Sequence, residues 1–332
     1  MRFGMRLTIR QPGFFTLVQD LGRTGFRRYG VSVSGALDPH GMRIANLLVE
    51  NDEAAAGLEI TWGGFCGQFE DRRLVAWCGG GFDVRIGSEP LPAGHVGAID
   101  AGEELVVSPP NVGCRAWLAI SGGIDVPKVL ESRSTDLRAE FGGLDGRTLR
   151  AGDVIPLGPQ TNGAAELSTL LRKDRVSAWS APAPWTSTAK ETPTLRFVRG
   201  REWKSFEFSA HQDFVGKTFT VSPDSDRMGA RLDGPFLCRT DAGDLISEAV
   251  VAGTVQVPPN AKPILLLGGC QTIGGYPKLA HVISVDLSTA AQLRPGDHVR
   301  FSELSLAEAH RLLFQRERDL GLFRVGLEAR AA

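Results

Sequence analysis

Residues 263–287 read PILLLGGCQTIGGYPKLAHVISVDL, two short apolar runs separated by a glycine pair, a tyrosine and a lysine. Apolar runs of this length bounded by turn residues predict buried β-strands. Gly274 and Gly275 allow backbone N–H groups to approach a ligand closely, while Tyr276 and Lys278 offer side-chain donors. The stretch therefore predicts a binding rim that stabilises negative charge, or a plain hairpin corner with a surface lysine.

The same strand pattern recurs along the chain. Short apolar runs alternate with turn residues in LVAWC (74–78), DVRIG (83–87), RAWLAIS (115–121) and DVIPLG (153–158). Helical signals are few. Asp38 followed by Pro39 predicts a helix that continues to Asn51, and the capping-box pair Ser305 and Glu308 predicts a C-terminal helix. We therefore predict a mainly β protein.

Composition narrows the class of protein. A chain of 332 residues predicts two domains, and 37 Lys plus Arg against 38 Asp plus Glu argue against nucleic acid as a partner. Five widely spaced cysteines without a C-x-x-C pair predict reduced thiols, a cytoplasmic protein and no zinc site. Six scattered histidines give no metal-ligand spacing. No stretch has the length of a signal peptide core or a membrane span, so we expect neither.

The two halves of the chain echo each other, which predicts a duplicated β domain unless the shared turn residues arose by chance. The echoes place Glu59 and Glu248 in comparable positions and pair GGIDVPK (122–128) with GGYPK (274–278), LRAGDVIPL (149–157) with LRPGDHVRF (293–301), and DPHGMRIANL (38–47) with SDRMGARL (225–232). In the L-R-x-G-D echo we assign the aspartate to a turn and give it no chemistry. The predicted division is a domain over 5–158, a linker over 159–193, a domain over 194–303 and a helix over 304–325.

Three further segments place arginine among glycine and small hydroxyl residues, a composition that suits recognition of carboxylate or phosphate. They cover residues 19–39, 132–143 and 222–235. A loop arginine is also commonly just solvated. Cys270 adjoins the predicted rim, where it is either a nucleophile or, more simply, a buried inert thiol.

Taken together, these segments resemble the allophanate hydrolase subunit 2 family, which includes the carboxyltransferase domain of urea carboxylase, the C subunit of 5-oxoprolinase and the Kip antagonist proteins. The resemblance rests on eight ordered blocks, among them VQDLGRTGFRRYGVSVSGALDP, SRSTDLRAEFGG, VSPDSDRMGARLDGP and QTIGGYPKLA. It implies two tandem cyclophilin-like β-barrel domains. It also implies a partner from the subunit 1, or Kip inhibitor-like, family.

The resemblance implies transfer of a carboxyl group from carboxybiotin to a small urea-like, lactam or amide acceptor. No cofactor is then bound covalently to this chain: a biotin carrier protein and a biotin carboxylase supply carboxybiotin, and partner subunits use any ATP. For such a reaction we assign the catalytic roles to Lys278, Tyr276 and Glu248. Lys278 or Tyr276 donates a proton or hydrogen bond to the ureido oxygen of biotin or pairs with the carboxylate before its transfer, and Glu248 is the base. Binding of substrate or biotin is assigned to Gly274, Gly275, Gln271, Thr272, Arg231 and Arg138.

Two other functions stay open at this point. One is a non-catalytic regulator, like the Kip antagonists, that binds a subunit 1 partner. The other is a carbohydrate- or peptide-binding module, suggested by six tryptophans. Trp62, Trp77 and Trp117 lie in apolar runs, however, and are more simply core residues.

Overall fold

The computed structural model describes residues 5–241, 243 and 245–331, which divide into two compact units. The first unit contains the chain up to Arg23, Ser34–Thr188 and the chain from Leu320 onward. The second unit contains Thr24–Val33 and Ala189–Asp319. A ten-residue segment near the N-terminus therefore belongs to the same unit as the QTIGGYPK stretch.

The first unit contains two six-stranded antiparallel sheets, with strand orders β11-β1-β4-β9-β6-β7 and β12-β8-β5-β10-β3-β2. Trp77 and Trp117 are buried, as predicted for core residues, and the side chains of alternating strand positions form one large apolar cluster. The strands are β1 Arg6–Pro12, β2 Phe15–Gln19, β3 Gly57–Thr61, β4 Phe65–Phe69, β5 Arg73–Gly79, β6 Val84–Ile86, β7 Glu89–Pro90, β8 His95–Ile99, β9 Glu104–Val107, β10 Arg115–Ile120, β11 Val154–Pro156 and β12 Val176–Ser180.

Three helices accompany these sheets: α1 Pro39–Leu48, α2 Asn162–Leu170 and α3 Ala183–Thr186. Helix α1 begins as predicted, because the Asp38 carboxylate accepts a hydrogen bond from the backbone N–H of Gly41 at 2.9 Å. The segment predicted as a linker differs from that expectation. Residues up to Thr188 belong to the first unit, where β12 pairs with β8 and buried Ala164 and Ala181 join an apolar cluster.

The second unit contains a closed seven-stranded barrel with strand order β13-β20-β17-β18-β15-β14-β21. Phe197, Phe214, Phe219 and Phe301 pack against one another in its core. The elements are β13 Thr194–Arg199, α4 Phe208–Gly216, β14 Phe219–Val221, β15 Gly229–Asp233, β16 Glu248–Ala249, β17 Thr254–Gln256, β18 Ile264–Leu266, β19 Ile273–Gly274, β20 Lys278–Val282, α5 Leu287–Ala290 and β21 His298–Glu303. The prediction of a mainly β fold is confirmed.

The chain ends in the long helix α6, Leu306–Ala331. Its start agrees with the prediction, since the Ser305 hydroxyl accepts a hydrogen bond from the backbone N–H of Glu308 at 3.1 Å. The helix is longer than predicted: Gly326 follows the predicted end at 325 but does not adopt the left-handed conformation of a C-cap, and buried Leu320 and Leu327 anchor the last turns in the first unit. None of the described helices combines the length and apolar character that crossing a bilayer requires.

One of the predicted sequence echoes, the L-R-x-G-D turn, has the same structure in both halves. In both L-R-x-G-D turns the glycine has a positive φ, +87° at Gly152 and +88° at Gly296, and the aspartate accepts a hydrogen bond from the arginine N–H. In contrast, residues 38–47 contain helix α1, whereas 225–232 lead into strand β15. The residues shared between these two segments therefore do not produce the same backbone.

Candidate functional site

Strand β20 of the second unit begins at Lys278, whose side chain is almost fully buried at 6% exposure. Its ammonium lies 3.4 Å from Glu248 Oε2 and 3.9 Å from Glu202 Oε2. Because a buried ammonium requires compensation, the two carboxylates make this position tolerable for a charged lysine. The structure therefore excludes the alternative of a plain surface lysine at this corner.

Glu202 holds the lysine in two ways. One carboxylate oxygen, Oε2, accepts the backbone N–H of Lys278 at 2.9 Å and also lies near the ammonium. The preceding Gly200 allows this close approach, since a Cβ at that position would lie 2.1 Å from the Lys278 carbonyl oxygen. The segment Gly200–Glu202 thus fits against the start of β20 only because residue 200 has no side chain.

Glu248 is brought to the lysine by the two-stranded ribbon β16–β19, in which Glu248 pairs directly with Gly274. Its other oxygen, Oε1, accepts a hydrogen bond from Arg201 at 2.5 Å. The Glu248 side chain is 38% exposed, so it can be reached from solvent while Lys278 cannot. We call Arg201, Glu202, Glu248 and Lys278 the lysine cluster.

The glycine pair has a role that differs in part from the predicted one. Neither Gly274 nor Gly275 has a positive φ, so no left-handed turn requires glycine here. A Cβ at Gly274 would instead lie 2.8 Å from the Gln256 side-chain amide, and one at Gly275 would lie 3.2 Å from the Ser247 hydroxyl. The pair allows the ribbon and the Gln256 amide to approach closely.

Gln256 connects the other predicted rim residues and is itself buried at 1% exposure. Its Nε2 donates to the Tyr276 carbonyl oxygen at 3.3 Å, and its Oε1 accepts from Gln271 Nε2 at 3.5 Å. The Tyr276 side chain is 46% exposed. Gln256 therefore positions the backbone of the stretch, whereas the Tyr276 ring is available to a ligand.

An arginine from far away in the sequence supports the same stretch. Arg27, in the ten-residue N-terminal segment of the second unit, donates hydrogen bonds to the carbonyl oxygens of Val250 and, at 3.4 Å, of Thr272. Burial raises the pKa of the neighbouring Cys270 thiol, and the Arg27 charge offsets this rise only in part. Cys270 thus fits the inert alternative.

His281 lies three residues after Lys278 on the same strand, and its Nδ1 is 3.3 Å from the Thr254 hydroxyl. Burial lowers the pKa of His281 and the Lys278 charge lowers it further, while Glu202 opposes the change. The imidazole is therefore neutral at neutral pH and adds no positive charge beside the lysine cluster.

The structure does not bring all of the predicted residues together. Lys278, Glu248, Gly274, Gln271 and Thr272 are joined by the contacts above. Arg231 is exposed on β15, and its backbone bonds with Ser222 and Ser225 in its own loop. Arg138 belongs to the first unit, where its N–H donates to the Asp136 carboxylate at 3.1 Å.

Sequence reasoning missed four residues that shape the site: Arg27, Arg201, Glu202 and Gln256. Arg27 lies in a segment that the arginine–glycine composition had singled out, so that signal was present without an assignment. Arg201 and Glu202 follow strand β13 and Gln256 is the last residue of β17, and a single polar residue at such a place indicates nothing by itself. Within the described part of the chain, no group of three or more His, Cys, Asp or Glu is arranged to hold a metal ion.

Comparison with known proteins gives consistent matches. Residues 29–303 match the family model described as carboxyltransferase domain, subdomain A and B. The chain is 39% identical over 306 residues to the C subunit of 5-oxoprolinase from Escherichia coli strain K12, an alignment that covers 91% of this chain and 93% of that protein. It is 31% identical to the urea amidolyase of Lachancea kluyveri, covering 92% of this chain but 17% of that protein.

Solved structures agree with these matches. The crystal structure of Kluyveromyces lactis urea carboxylase superimposes with a TM-score of 0.87 at 27% sequence identity, covering 97% of this chain and 30% of that chain. A crystal structure of TTHA0988 gives a TM-score of 0.76 at 31% identity, covering 91% of this chain and 56% of that one. The chain thus matches nearly the whole length of the 5-oxoprolinase C subunit. It matches only part of the longer urea amidolyase, urea carboxylase and TTHA0988 chains.

Proposed function

The chain belongs to the family of carboxyltransferase domains, subdomains A and B, and we propose that it is the carboxyltransferase subunit of a biotin-dependent complex. The acceptor we propose is a small lactam, amide or urea-like molecule. Relatives named as a 5-oxoprolinase subunit and as a urea amidolyase support this range, since 5-oxoproline and urea both contain a planar N–C=O group. The identity to the 5-oxoprolinase relative over nearly its full length favours a 5-oxoprolinase-type complex.

One observation carries the proposal: the buried ammonium of Lys278 between two carboxylates, directly beside the β16–β19 ribbon. Carboxybiotin, delivered by a carrier protein, would supply the activated carboxyl group. A reaction of this kind needs a fixed donor where negative charge develops and a site from which water is excluded. The residues present fit carboxybiotin, because Lys278 is a preorganised cationic donor that is already shielded from bulk water.

The neighbouring residues have complementary roles in this proposal. Glu202 fixes Lys278 and Arg201 fixes Glu248. Both are positioning residues that take no part in the chemical step. Glu248, being partly exposed, is the group we assign to accept a proton from the acceptor nitrogen. Tyr276 offers a hydroxyl at the rim. Roles for Arg231 and Arg138 in holding a substrate carboxylate or amide stay predictions.

Reconstitution tests the proposal. The chain is co-expressed with its candidate subunit 1, biotin carboxylase and biotin carrier partners, and the purified complex is probed for biotin. Labelled bicarbonate is then supplied with ATP and a panel of acceptors that includes 5-oxoproline and urea. We expect label to enter an acceptor only when ATP, the carrier and this chain are all present.

The regulatory alternative makes a different prediction in the same experiment. A regulator of the Kip antagonist kind would bind the subunit 1 partner tightly and give neither biotin nor turnover. The 5-oxoprolinase subunit and the urea amidolyase reported above carry enzyme names, and neither favours the regulator. A stable complex without incorporation of label into any acceptor would refute the proposed carboxyl transfer.

A further inference from the structure

The second unit contains a groove of about 520 Å³ along helix α4, which we call the α4 groove. Four residues of the helix line it, and their three- and four-residue spacing places them on one helical face: Phe208, His211, Gln212 and Val215. A different face of α4 packs into the barrel core through buried Ala210 and Phe214. Helix α4 therefore has two faces with large apolar side chains, one in the core and one along the groove.

The α4 groove is open rather than enclosed. On its rim Phe208 is 74% exposed and Val215 is 43% exposed. A small-molecule site usually covers about 70–90% of the ligand surface, which a rim as exposed as this one does not do. Large apolar side chains that lie together at the surface are more typical of a contact with another polypeptide.

The floor of the α4 groove is a stack of flat side chains. Trp203 is buried at 7% exposure, and the His211 ring lies nearly parallel to it with 4.2 Å between the ring centroids. The Arg199 guanidinium lies 5.1 Å from the Trp203 ring centroid. Tryptophan and arginine are enriched among the residues that contribute most to binding at protein interfaces, so this floor suits a protein contact.

The charges of the α4 groove indicate the chemistry of its occupant. Arg199 and Glu303 both line the groove and pair with each other, with Nε 2.7 Å from Oε1, so their charges offset. Lys204 also lines the groove and is exposed. The complementary surface therefore carries a carboxylate next to large apolar side chains.

The same stretch of chain lines the α4 groove and builds the lysine cluster. In residues 199–204, the first and the last two line the groove, and the three between them contact Lys278 or Glu248. Because these six residues are consecutive, an occupant that orders Trp203 and Lys204 also restricts Glu202, which holds Lys278. Binding at the groove is thus coupled to the position of the buried ammonium.

We propose that the α4 groove binds an amphipathic segment of a partner polypeptide and that this binding stabilises the lysine cluster. Large apolar side chains of the segment pack on Trp203 and Phe208, and a carboxylate reaches Lys204, as when an amphipathic helix lies in a groove. Taking the subunit 1 protein as the source of the segment rests on the function proposed above. A second copy of this chain is the competing occupant, and its effect is measured separately.

The first experiment measures docking. The full chain and the candidate subunit 1 protein are purified separately, and their dissociation constant is measured by calorimetry without ATP, biotin or acceptor. Phe208→Ser should raise it by about tenfold or more, the usual cost of removing a central apolar anchor. Lys204→Glu should raise it by about tenfold, and more at low salt, because it reverses a charge at the contact.

Phe236→Ser is the matched control, because Phe236 is 64% exposed in the same unit and lies outside the groove lining. It should bind subunit 1 as tightly as the unchanged chain does. If subunit 1 does not bind the unchanged chain, or binds both groove variants with unchanged affinity, the proposed docking site is wrong.

Sedimentation velocity of the chain alone tests the second copy. We expect the sedimentation coefficient of Phe208→Ser to equal that of the unchanged chain at every concentration. A concentration-dependent dimer that Phe208→Ser and Lys204→Glu lose, and that Phe236→Ser keeps, would show that a second copy fills the groove and would contradict the proposal.

Hydrogen exchange measures the coupling to the lysine cluster. The backbone N–H of Lys278 donates to Glu202, so saturating subunit 1 should slow exchange in the peptide that contains residue 278, by about fivefold or more for an ordinary coupling between two sites. Exchange that subunit 1 leaves unchanged would refute the coupling. In the reconstituted complex, excess subunit 1 should restore carboxyl transfer to Phe208→Ser but not to Lys278→Met.

These outcomes separate the docking site from the proposed function, since neither calorimetry nor hydrogen exchange needs turnover. A complex that depends on Phe208 and Lys204 but transfers no carboxyl group refutes the function and supports the docking site. A complex that transfers the carboxyl group and is insensitive to both groove variants does the reverse.

Discussion

Glu59 in the first unit and Glu248 in the second have similar places in the two sequence halves but opposite surroundings. Glu59 is buried at 1% exposure, and its Oε2 accepts hydrogen bonds from Trp117 Nε1 at 3.0 Å and the Leu37 N–H at 2.8 Å. Glu248 is partly exposed and contacts two cations, Arg201 and Lys278. The first arrangement stabilises a core, and the second can take part in chemistry.

The difference between the two glutamates shows which structural features a repeated sequence pattern reproduces. The L-R-x-G-D turns have the same geometry in both halves because the bonds that define them join residues at most three positions apart. The surroundings of Glu59 and Glu248 depend on partners 22 to 58 positions away. Comparing the two halves by mutation therefore separates local from long-range effects.

The largest effect is expected on carboxyl transfer, when a lysine of the lysine cluster is compared with a lysine of the first unit. Lys278→Met should reduce carboxyl transfer in the reconstituted complex by about 100-fold or more, the usual cost of removing a donor that stabilises developing charge. Bicarbonate incorporation measures this. The control is Lys128→Met, the lysine of GGIDVPK, which should retain turnover. Unchanged turnover in Lys278→Met would remove Lys278 from the mechanism.

The next largest difference is expected in stability, when alanine replaces the first glycine of GGIDVPK or of GGYPK. Gly122 has a φ of +88°, and a Cβ there would lie 2.3 Å from the Gly158 carbonyl oxygen, so Gly122→Ala should destabilise the protein by about 3 kcal/mol. In Gly274→Ala the new Cβ would lie 2.8 Å from the side-chain amide of Gln256. Because this side chain can move, the substitution should destabilise the protein by about 1 kcal/mol. Urea unfolding midpoints measure both. Equal costs would show that the two glycine pairs have equivalent backbones.

Removing the two glutamates tests the comparison directly. Glu59→Ala leaves the Trp117 and Leu37 donors without this acceptor in a buried site and should cost about 2 kcal/mol of stability. Glu248→Ala leaves the buried Lys278 ammonium with Glu202 as its carboxylate partner and should also cost about 2 kcal/mol, so turnover, which only Glu248→Ala should abolish, separates the two glutamates. Thermal unfolding and turnover are measured for both variants. A Glu248→Ala protein with normal turnover would eliminate Glu248 as the base.

The smallest expected effect concerns the shared turn and depends on pH. Hydrogen bonds from Arg147, and from the Arg150 N–H, lower the pKa of Asp153 in the folded protein. A depressed folded-state pKa means that this stabilisation is present above the unfolded-state pKa and is lost as the pH falls through the folded-state value. Asp153→Asn should therefore cost about 1 kcal/mol at neutral pH and progressively less in acid.

Asp297→Asn is the matched control for that turn. Asp297 accepts from Arg294, with Nε at 3.1 Å and the backbone N–H at 2.9 Å, whereas Asp153 accepts two shorter guanidinium bonds from Arg147, at 2.8 and 2.9 Å. We expect a smaller loss than for Asp153→Asn. Unfolding midpoints at several pH values compare the two, and a cost for Asp153→Asn that did not change with pH would contradict the electrostatic explanation.

The sequence predicted the mainly β fold and the starts of both the first and last helices, because periodicity and capping are local signals. The eight ordered segments also identified the family. The linker was harder to predict: residues 159–188 are rich in Ala, Ser, Thr and Pro, yet they pack into the first unit. Within this segment β12 pairs with β8 and the apolar side chains of Ala164, Leu171 and Ala181 are buried, a long-range arrangement that no local pattern indicates.

By itself, the sequence determined the turns, the caps and the strand-rich class, and it singled out the QTIGGYPK stretch as a candidate site. Only the tertiary structure decided that Lys278 is buried, that Glu202 and Glu248 compensate it, and that Arg27 supports the stretch from more than 220 positions away. The physical reason is distance along the chain. A turn is stabilised by its own residues, whereas a buried charge is stable only where the fold brings distant partners of opposite charge to it.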